Sequence, residues 1–148
     1  MRKLYIFAFI LTLSFCGSSD AVAQKGDKPQ VVINIRGISK YHDLKELKGM
    51  TKGQLIPLYV ERVKILFSVI QYFGVSNKSG VTFTDLGIPT SKENIKALDS
   101  EIENRTLFLN NNEDFLKAIL PYSDTDNIIK SILFYEEVLK LVHTIGVE

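Results

Sequence analysis

Apolar positions follow a helical spacing most clearly between Thr51 and Gly74. Thr51 and Gln54 form a capping box at the start of this segment, and Gly74 marks its end. Pro57 lies early in the run, so we expect the helix to start near it or to bend there. The recurring apolar residues are Leu55, Tyr59, Val63, Leu66, Ile70 and Phe73.

This predicted helix is apolar over most of its circumference. Ile56, Val60 and Phe67 widen the apolar surface around one polar stripe, and Arg62 is a charged exception outside that stripe. A helix of this kind is typical of the centre of a bundle, and the alternative is that it lines a ligand pocket. The polar stripe consists of Glu61, Lys64, Ser68 and Gln71, at intervals of three, four and three residues.

Helical patterns also lie on either side of this segment. Ser39 is positioned to cap a short helix that runs to Lys48, with Gly49 as its stop. The last predicted helix follows the polar run SDTDN and ends at Gly146. Its apolar stripe consists of Ile128, Ile132, Tyr135, Leu139 and Val142.

A weaker helical pattern lies between these two regions. Thr90 and Glu93 mark its start, and a narrow apolar face of Ile95, Leu98 and Ile102 indicates a peripheral helix. Residues 110–112 are three asparagines, which are poor helix formers and interrupt the pattern. We expect Asn112 to cap a new turn there. That turn would carry Phe115, Leu116, Ile119 and Leu120.

Two short runs are rich in β-branched residues. The runs VVINIRG, residues 31–37, and GVTFT, residues 80–84, predict strands that pair as a small ribbon supported by helices. We therefore expect a mainly α fold, a bundle of four or five helices with a short two-stranded β appendage. The helical domain would span residues 39–148, after a polar N-terminal segment with a short strand at residues 24–38.

Residues 1–23 have the organisation of a cleaved export signal. Arg2 and Lys3 precede the apolar run of residues 4–15, and a triplet of small residues follows it at Ala21-Val22-Ala23. The apolar run is shorter than the roughly 20 residues that a membrane-spanning helix needs. We therefore expect export without a transmembrane anchor.

Two cleavage sites compete within this signal. Cleavage after Ala23 would release a soluble periplasmic or secreted chain, and the small side chains of Ala21 and Ala23 favour it. The alternative is cleavage before Cys16 and a lipid anchor on that cysteine, for which the preceding Phe15 is a bulky misfit. Cys16 is the chain's one cysteine, so the expected mature chain has no disulfide and no thiol nucleophile.

The charge balance excludes general attraction to polyanions. The chain has 18 basic and 17 acidic residues, and removal of Arg2, Lys3 and Asp20 with the signal leaves equal numbers of both. Binding to nucleic acid or to an anionic membrane surface normally requires clustered positive charge. We therefore expect no nucleic-acid partner.

Candidate chemistry is sparse in this sequence. Neither of the two histidines, His42 and His143, follows a glutamate at the spacing used by metal sites in helical bundles. Ser39, His42 and Asp43 lie close together, but no oxyanion hole can be identified, and Ser39 is explained more simply as a helix cap. The acidic runs do not match a calcium-binding loop. The sequence thus predicts no catalytic residue, no metal site and no cofactor.

These observations favour an exported, non-enzymatic helical module that binds another macromolecule in the cell envelope or outside the cell. The candidate interface residues are the amphipathic Tyr41, Tyr59, Tyr72 and Tyr122. The alternative function is a carrier of a small apolar ligand in a helical pocket. Its candidate lining residues are Phe67, Phe73, Phe108, Phe115 and Phe134. A third interpretation is an enzyme with an unrecognised site near His42. The sequence leaves the partner, the ligand and the oligomeric state open.

Overall fold

A computed structural model of the chain describes residues 30–34, 37–76 and 78–145. The predicted export signal, residues 24–29 and the predicted helix stop at Gly146 lie outside this part. The described residues confirm a mainly α fold with a two-stranded antiparallel appendage. The elements are β1 Val31–Ile33, α1 Leu44–Lys48, α2 Lys52–Val69, β2 Val81–Thr82, α3 Lys92–Ile119 and α4 Thr125–Ile145. Short 3-10 turns follow α2 at Ile70–Tyr72 and α3 at Leu120–Tyr122.

The central position predicted for α2 is confirmed, because α2 packs against both α3 and α4. The predicted capping box is present, and the Gln54 side chain accepts a hydrogen bond from the Thr51 N–H at 2.9 Å. Pro57 lies inside the helix rather than at its start. The regular helix ends at Val69, so the prediction that it continues to Phe73 is about one turn too long.

The core lies mainly between α2 and α4. Burial of each aliphatic side chain contributes about 1.5–3 kcal/mol, so these contacts dominate the stabilisation of the bundle. One apolar cluster joins α1, α2, the turn after α3 and α4 through Leu47, Leu55, Val60, Leu120, Ile128, Ile129 and Ile132. A second cluster joins the later halves of α2 and α4 through Ile65, Val69, Leu139 and Val142.

The prediction that Ser39 caps the first helix is wrong. α1 begins at Leu44, and Asp43 is its N-cap, with the Asp43 carboxylate accepting from the Glu46 N–H at 2.7 Å. Glu46 returns the interaction by accepting from the Asp43 N–H, which completes a capping box. Residues 39–42 are therefore not helical, and Ser39 lies exposed before the helix.

α3 is a single helix of 28 residues, so the predicted interruption at residues 110–112 is wrong. Its N-cap is Ser91, which accepts from the Asn94 N–H at 3.2 Å, rather than the predicted Thr90. Tertiary contacts outweigh the low helix propensity of the asparagines, since Glu113 pairs with Lys64 of α2 and Leu116 packs against the core. The helix is peripheral as predicted, because Leu98 is its one buried residue.

Three side chains in the β ribbon and directly after it are buried, those of Ile33, Val81 and Phe83. β1 and β2 pair antiparallel, with Val31 opposite Thr82. Gly80 enters β2 with a positive φ of 80°, a conformation that glycine adopts without a side-chain clash. Its N–H donates to the Ile33 carbonyl oxygen at 2.8 Å, which closes the ribbon.

The continuity of α3 is tested by placing proline at Asn110. Asn110→Pro should destabilise the protein by about 3 kcal/mol, since proline in a helix interior removes a hydrogen bond and clashes with the preceding turn. Asn110→Ala is the control and should preserve or raise stability. The measurements are urea unfolding and far-ultraviolet circular dichroism. Equal stability of the two variants would contradict a continuous helix and would favour a break before Asn112.

Candidate functional site

A buried cluster of charged and polar side chains joins α2, α4 and the segment before α1. Arg62 of α2 and Glu136 of α4 are 2% and 1% exposed. The Arg62 Nε donates to the Glu136 Oε1 at 2.8 Å. The His42 Nδ1 donates to the same oxygen at 2.9 Å, and the His42 backbone N–H donates to the Glu136 Oε2 at 2.6 Å. Both oxygens of this buried carboxylate are therefore satisfied.

Arg62 also fastens the backbone before α1. One of its terminal nitrogens donates to the Lys40 carbonyl oxygen at 2.8 Å, and the other donates to the Glu61 carboxylate at 2.9 Å. All three guanidinium nitrogens thus have an acceptor, which suits the fixed fork geometry of arginine. Residues 40–42 are held in place by hydrogen bonds to two different helices.

The environment keeps Glu136 ionised. Burial would by itself raise the pKa of this carboxyl. The hydrogen bonds from the His42 side chain and backbone and from Arg62, together with the Arg62 charge, outweigh burial and hold the pKa of Glu136 below its ordinary value of 4.5. Since a carboxylate only accepts hydrogen bonds, the His42 Nδ1 carries the proton that they share.

Tyr41 and His143 extend the cluster toward the end of α4. The Tyr41 hydroxyl and the His143 Nδ1 share a hydrogen bond of 2.9 Å, and the Lys140 Nζ lies 5.2 Å from the centre of the Tyr41 ring. Burial and the nearby charge of Glu136 raise the pKa of Tyr41. This arrangement keeps the tyrosine neutral and adds a further attachment of the segment to α4.

The cluster has the form of a structural anchor. A histidine that donates to a buried carboxylate resembles half of a catalytic triad, but the triad also needs a nucleophile beside the free ring nitrogen. Among the described hydrogen bonds, none joins Ser39 to His42, and Ser39 lies exposed. The contacts around His42 thus hold the chain in place. No described contact gives this histidine a nucleophile to activate.

The cluster was not predicted from the sequence, although two of its residues stand out there. Arg62 stands out as a charged residue among the apolar positions of α2, and Glu136 falls between the apolar Ile132 and Leu139 of α4. A charge on the apolar face of each of two helices indicates a buried pair when the charges are opposite. His42 gives no comparable signal, since its role depends on where an irregular segment runs.

An open groove with a volume of about 750 Å³ lies between α2 and α3. Val60, Ile65, Ile102 and Leu109 supply its apolar part. The polar stripe of α2 lines it through Glu61, Lys64 and Ser68. Three of the four residues of the stripe predicted from the sequence therefore face a groove beside α3, and the fourth, Gln71, lines a smaller hollow. The polar lining from α3 and the β1 end consists of Asn34, Arg105, Thr106, Asn110, Glu113 and Lys117.

Glu113 organises the charges of this groove. Its carboxylate accepts from the ammonium groups of both Lys64, on α2, and Lys117, one turn along α3. The hydrogen bonds from Lys117 and Lys64 lower the pKa of Glu113 to about 2. The groove wall thus has two cations that share one carboxylate, which leaves it with a local excess of positive charge.

A smaller hollow of about 490 Å³ lies on the other side of the contact between α2 and α3. Phe67 and Phe108 line it, and their rings meet edge to face with centres 5.8 Å apart. Glu101 and Arg105 also line it, with the Arg105 guanidinium 5.1 Å from the centre of the Tyr72 ring. The hollow is open and of mixed polarity.

The four candidate interface tyrosines do not form one surface. Tyr41 bonds to His143, and Tyr72 stacks under Arg105. The Tyr59 hydroxyl shares a hydrogen bond of 3.2 Å with the Tyr135 hydroxyl. Burial, followed by that bond, raises the pKa of Tyr59 to about 12. Tyr122 differs from these three because it is 91% exposed.

The five candidate pocket-lining phenylalanines also lie at different places in the structure. The structure brings Phe67 and Phe108 together at the smaller hollow. Phe73 packs against the second apolar cluster. Phe115 on α3 and Phe134 on α4 are exposed, at 61% and 62%. The described residues therefore do not place the five rings around a common cavity.

Neither a metal-ligand cluster nor a membrane-spanning helix is found among the described residues. No group of three or more His, Cys, Asp or Glu side chains there is arranged to hold a metal ion. Within the same residues, no helix is both long enough and apolar enough to cross a bilayer.

Comparison with known proteins identifies no relative: no family model, curated protein or solved structure matches the chain.

The structural role of the buried cluster is tested by replacing Arg62 alone and together with Glu136. Arg62→Met should cost about 3–5 kcal/mol of unfolding free energy, because it leaves a buried carboxylate without its cation. The double variant Arg62→Met with Glu136→Met should cost clearly less than the sum of the single variants. Arg105→Met, at a partly exposed arginine, is the control and should have a smaller effect. Strictly additive losses in urea unfolding would contradict the coupling.

A second prediction concerns pH. The pKa values of Glu136 and Glu113 are lower in the folded chain, so the unfolded chain binds more protons and acid favours unfolding. Their stabilisation is present above pH 4.5 and is lost as the pH falls, for Glu113 over the range down to about 2. Unfolding free energy measured against pH should therefore fall below pH 4.5, and Glu136→Gln should flatten that slope. A variant with the wild-type slope would contradict the assignment to Glu136.

Proposed function

We propose that the protein is an exported, non-enzymatic helical module that binds another macromolecule, and that the groove between α2 and α3 is its binding site. The observation that supports the proposal most directly is the lining of this groove. Charged side chains of both signs stand beside apolar ones along a channel that is open to solvent.

A polypeptide segment of a partner protein suits this lining. Asn34, Ser68 and Asn110 offer amide and hydroxyl groups to a backbone, and Ile102 and Leu109 offer apolar contact to side chains. Lys64 and Lys117 remain partly exposed, at 36% and 53% of their side-chain surface, so they can also meet an acidic residue. The volume of about 750 Å³ holds only part of a larger molecule.

The carrier of a small apolar ligand is the second candidate, and the smaller hollow supports it. Phe67 and Phe108 present partly exposed rings there, at 43% and 52%. Sites for small ligands usually bury most of the ligand within a predominantly apolar lining. The hollow is open and carries Glu101 and Arg105, so the observations favour the macromolecular partner.

The proposal includes export, which rests on the signal pattern of residues 1–23. Cleavage after Ala23 would deliver the groove to the periplasm or the exterior in soluble form. Lipidation at Cys16 would instead tether the same domain to a membrane. The mass of the processed chain distinguishes a start at Gln24 from a lipid-modified Cys16.

A photoreactive residue at Thr106, within the groove, tests the binding site in the exporting host. The same residue at Lys130, exposed on α4, is the control. We expect one discrete cross-linked macromolecule from position 106 and none from position 130. Lys117→Glu should reduce that product at least threefold, because it places a second negative charge beside Glu113.

The outcomes separate the candidate functions. Equal products at both positions, or a product that Lys117→Glu does not change, would contradict a specific groove site. A non-covalent adduct of a few hundred daltons in the native mass spectrum, with no cross-linked macromolecule, would favour the apolar carrier.

A further inference from the structure

α3 presents a regular row of residues on the side away from the groove. These residues are Asn104, Phe108, Asn111, Phe115, Ala118 and, in the following turn, Tyr122. Their intervals are four, three, four, three and four, which is the heptad spacing of a coiled-coil seam. All six are exposed. We call this row the α3 seam.

The seam lies in a wider apolar surface. Phe108, Phe115 and Tyr122 are 52%, 61% and 91% exposed. Leu107 and Ile119 flank them on α3, and Phe67 reaches the same surface from α2 by its edge-to-face contact with Phe108. An isolated surface aromatic needs no explanation, but a contiguous apolar surface of this size is typical of an interaction site.

We propose that the α3 seam packs against the seam of a second copy of this chain, with the two α3 helices antiparallel. The proposal goes beyond the groove function and does not depend on it. Asn110 and Glu113, which line the groove, lie on the opposite side of α3, so a dimer leaves the groove open.

The size of the surface agrees with a dimer. The exposed apolar side chains offer on the order of 600 Å² per copy, against roughly 800 Å² per partner in an interface of standard size. The exposed asparagines of the seam add polar area to this total. A symmetric pair that covers all of these side chains therefore lies at the lower end of the roughly 1,200–2,000 Å² in total that specific interfaces bury.

The order of residues along the seam favours the antiparallel pairing. In that arrangement Phe108 of one copy faces Ala118 of the other, Asn111 faces Phe115, and Asn104 faces Tyr122. Each layer then combines a large ring with a smaller side chain, which fills space evenly. A parallel pairing would stack Phe108 on Phe108 and Ala118 on Ala118, so crowded and empty layers would alternate.

The chemistry of the seam favours a second copy over an unrelated partner. None of the six seam residues is charged, so the seam meets itself without burying like charges. Asn104 and Asn111 are polar groups at seam positions, and polar groups there lower the affinity of pairing, which agrees with a reversible association. A surface that is self-complementary in size and uncharged is typical of a two-fold interface.

The first test is the oligomeric state of the full chain, measured by sedimentation equilibrium over a concentration series. We expect a reversible dimer. Phe115→Glu should raise the dimer dissociation constant at least tenfold, because it buries charge in the middle of the seam. Phe134→Glu is the matched control, since Phe134 is equally exposed but lies on α4, and it should leave the constant unchanged.

Circular dichroism of both variants checks that the fold is retained. A wild-type chain that stays monomeric at high concentration would overturn the proposal, as would an equal effect of the two variants. The proposal would also be overturned if the wild-type chain is monomeric and Phe115→Glu abolishes its cross-link from Thr106. That result would assign the seam to the cross-linked partner. A dimer whose Thr106 cross-link is absent would support the dimer and contradict the groove function.

The second test concerns orientation and uses a Cys16→Ser background, which removes the natural cysteine. A mixture of Asn104→Cys and Tyr122→Cys chains should oxidise mainly to the mixed disulfide dimer. Asn104→Cys alone should form little disulfide. Efficient oxidation of Asn104→Cys alone would indicate parallel helices and would overturn the antiparallel arrangement.

Discussion

The carboxylate of Glu136 connects three parts of the chain that are far apart in sequence. It accepts hydrogen bonds from Arg62 on α2 and from the side chain and backbone of His42, while itself belonging to α4. Burying such a carboxylate costs several kcal/mol, and the cost is offset only while all the donors keep their positions. The cluster therefore acts less as a source of net stability than as a geometric constraint. It excludes arrangements of the helices that would leave any of these polar groups buried without a partner.

The groove follows from this constraint. Arg62 lies on the side of α2 that faces α4, which places Glu61, Lys64 and Ser68 toward another side of the helix. α3 approaches α2 there, held by the Lys64 to Glu113 pair and by Leu116 against the core. Because Leu98 is the one buried residue of α3, the two helices do not close over the polar stripe. An open groove between them is the result, and the same peripheral position leaves the far side of α3 exposed.

The structural features that depend on the local pattern of residues were predicted correctly from the sequence. The capping box at Thr51, the central role of α2 and the pairing of two short strands are visible in residue spacing alone. Ser39, Thr90 and the asparagines at 110–112 misled the prediction because Asp43, Ser91 and the contact with Lys64 are stronger determinants. Residue type alone also does not show which aromatic rings are exposed. The sequence therefore did not distinguish the exposure of Tyr122 from that of Tyr59. The buried cluster around Glu136 can be predicted only when it is known which helices are neighbours.

The polar residues of the seam are consistent with a need to control association. A long, peripheral helix that exposes Phe108, Phe115 and Leu107 risks non-specific contacts with other chains. A contact that does not close on itself can extend into fibres, whereas a two-fold pair covers the surface completely. Asn104 and Asn111 weaken such a pairing, because their amides face the rings of Tyr122 and Phe115 in the antiparallel arrangement. The asparagines that weaken α3 as a helix would thus limit how strongly its exposed face associates.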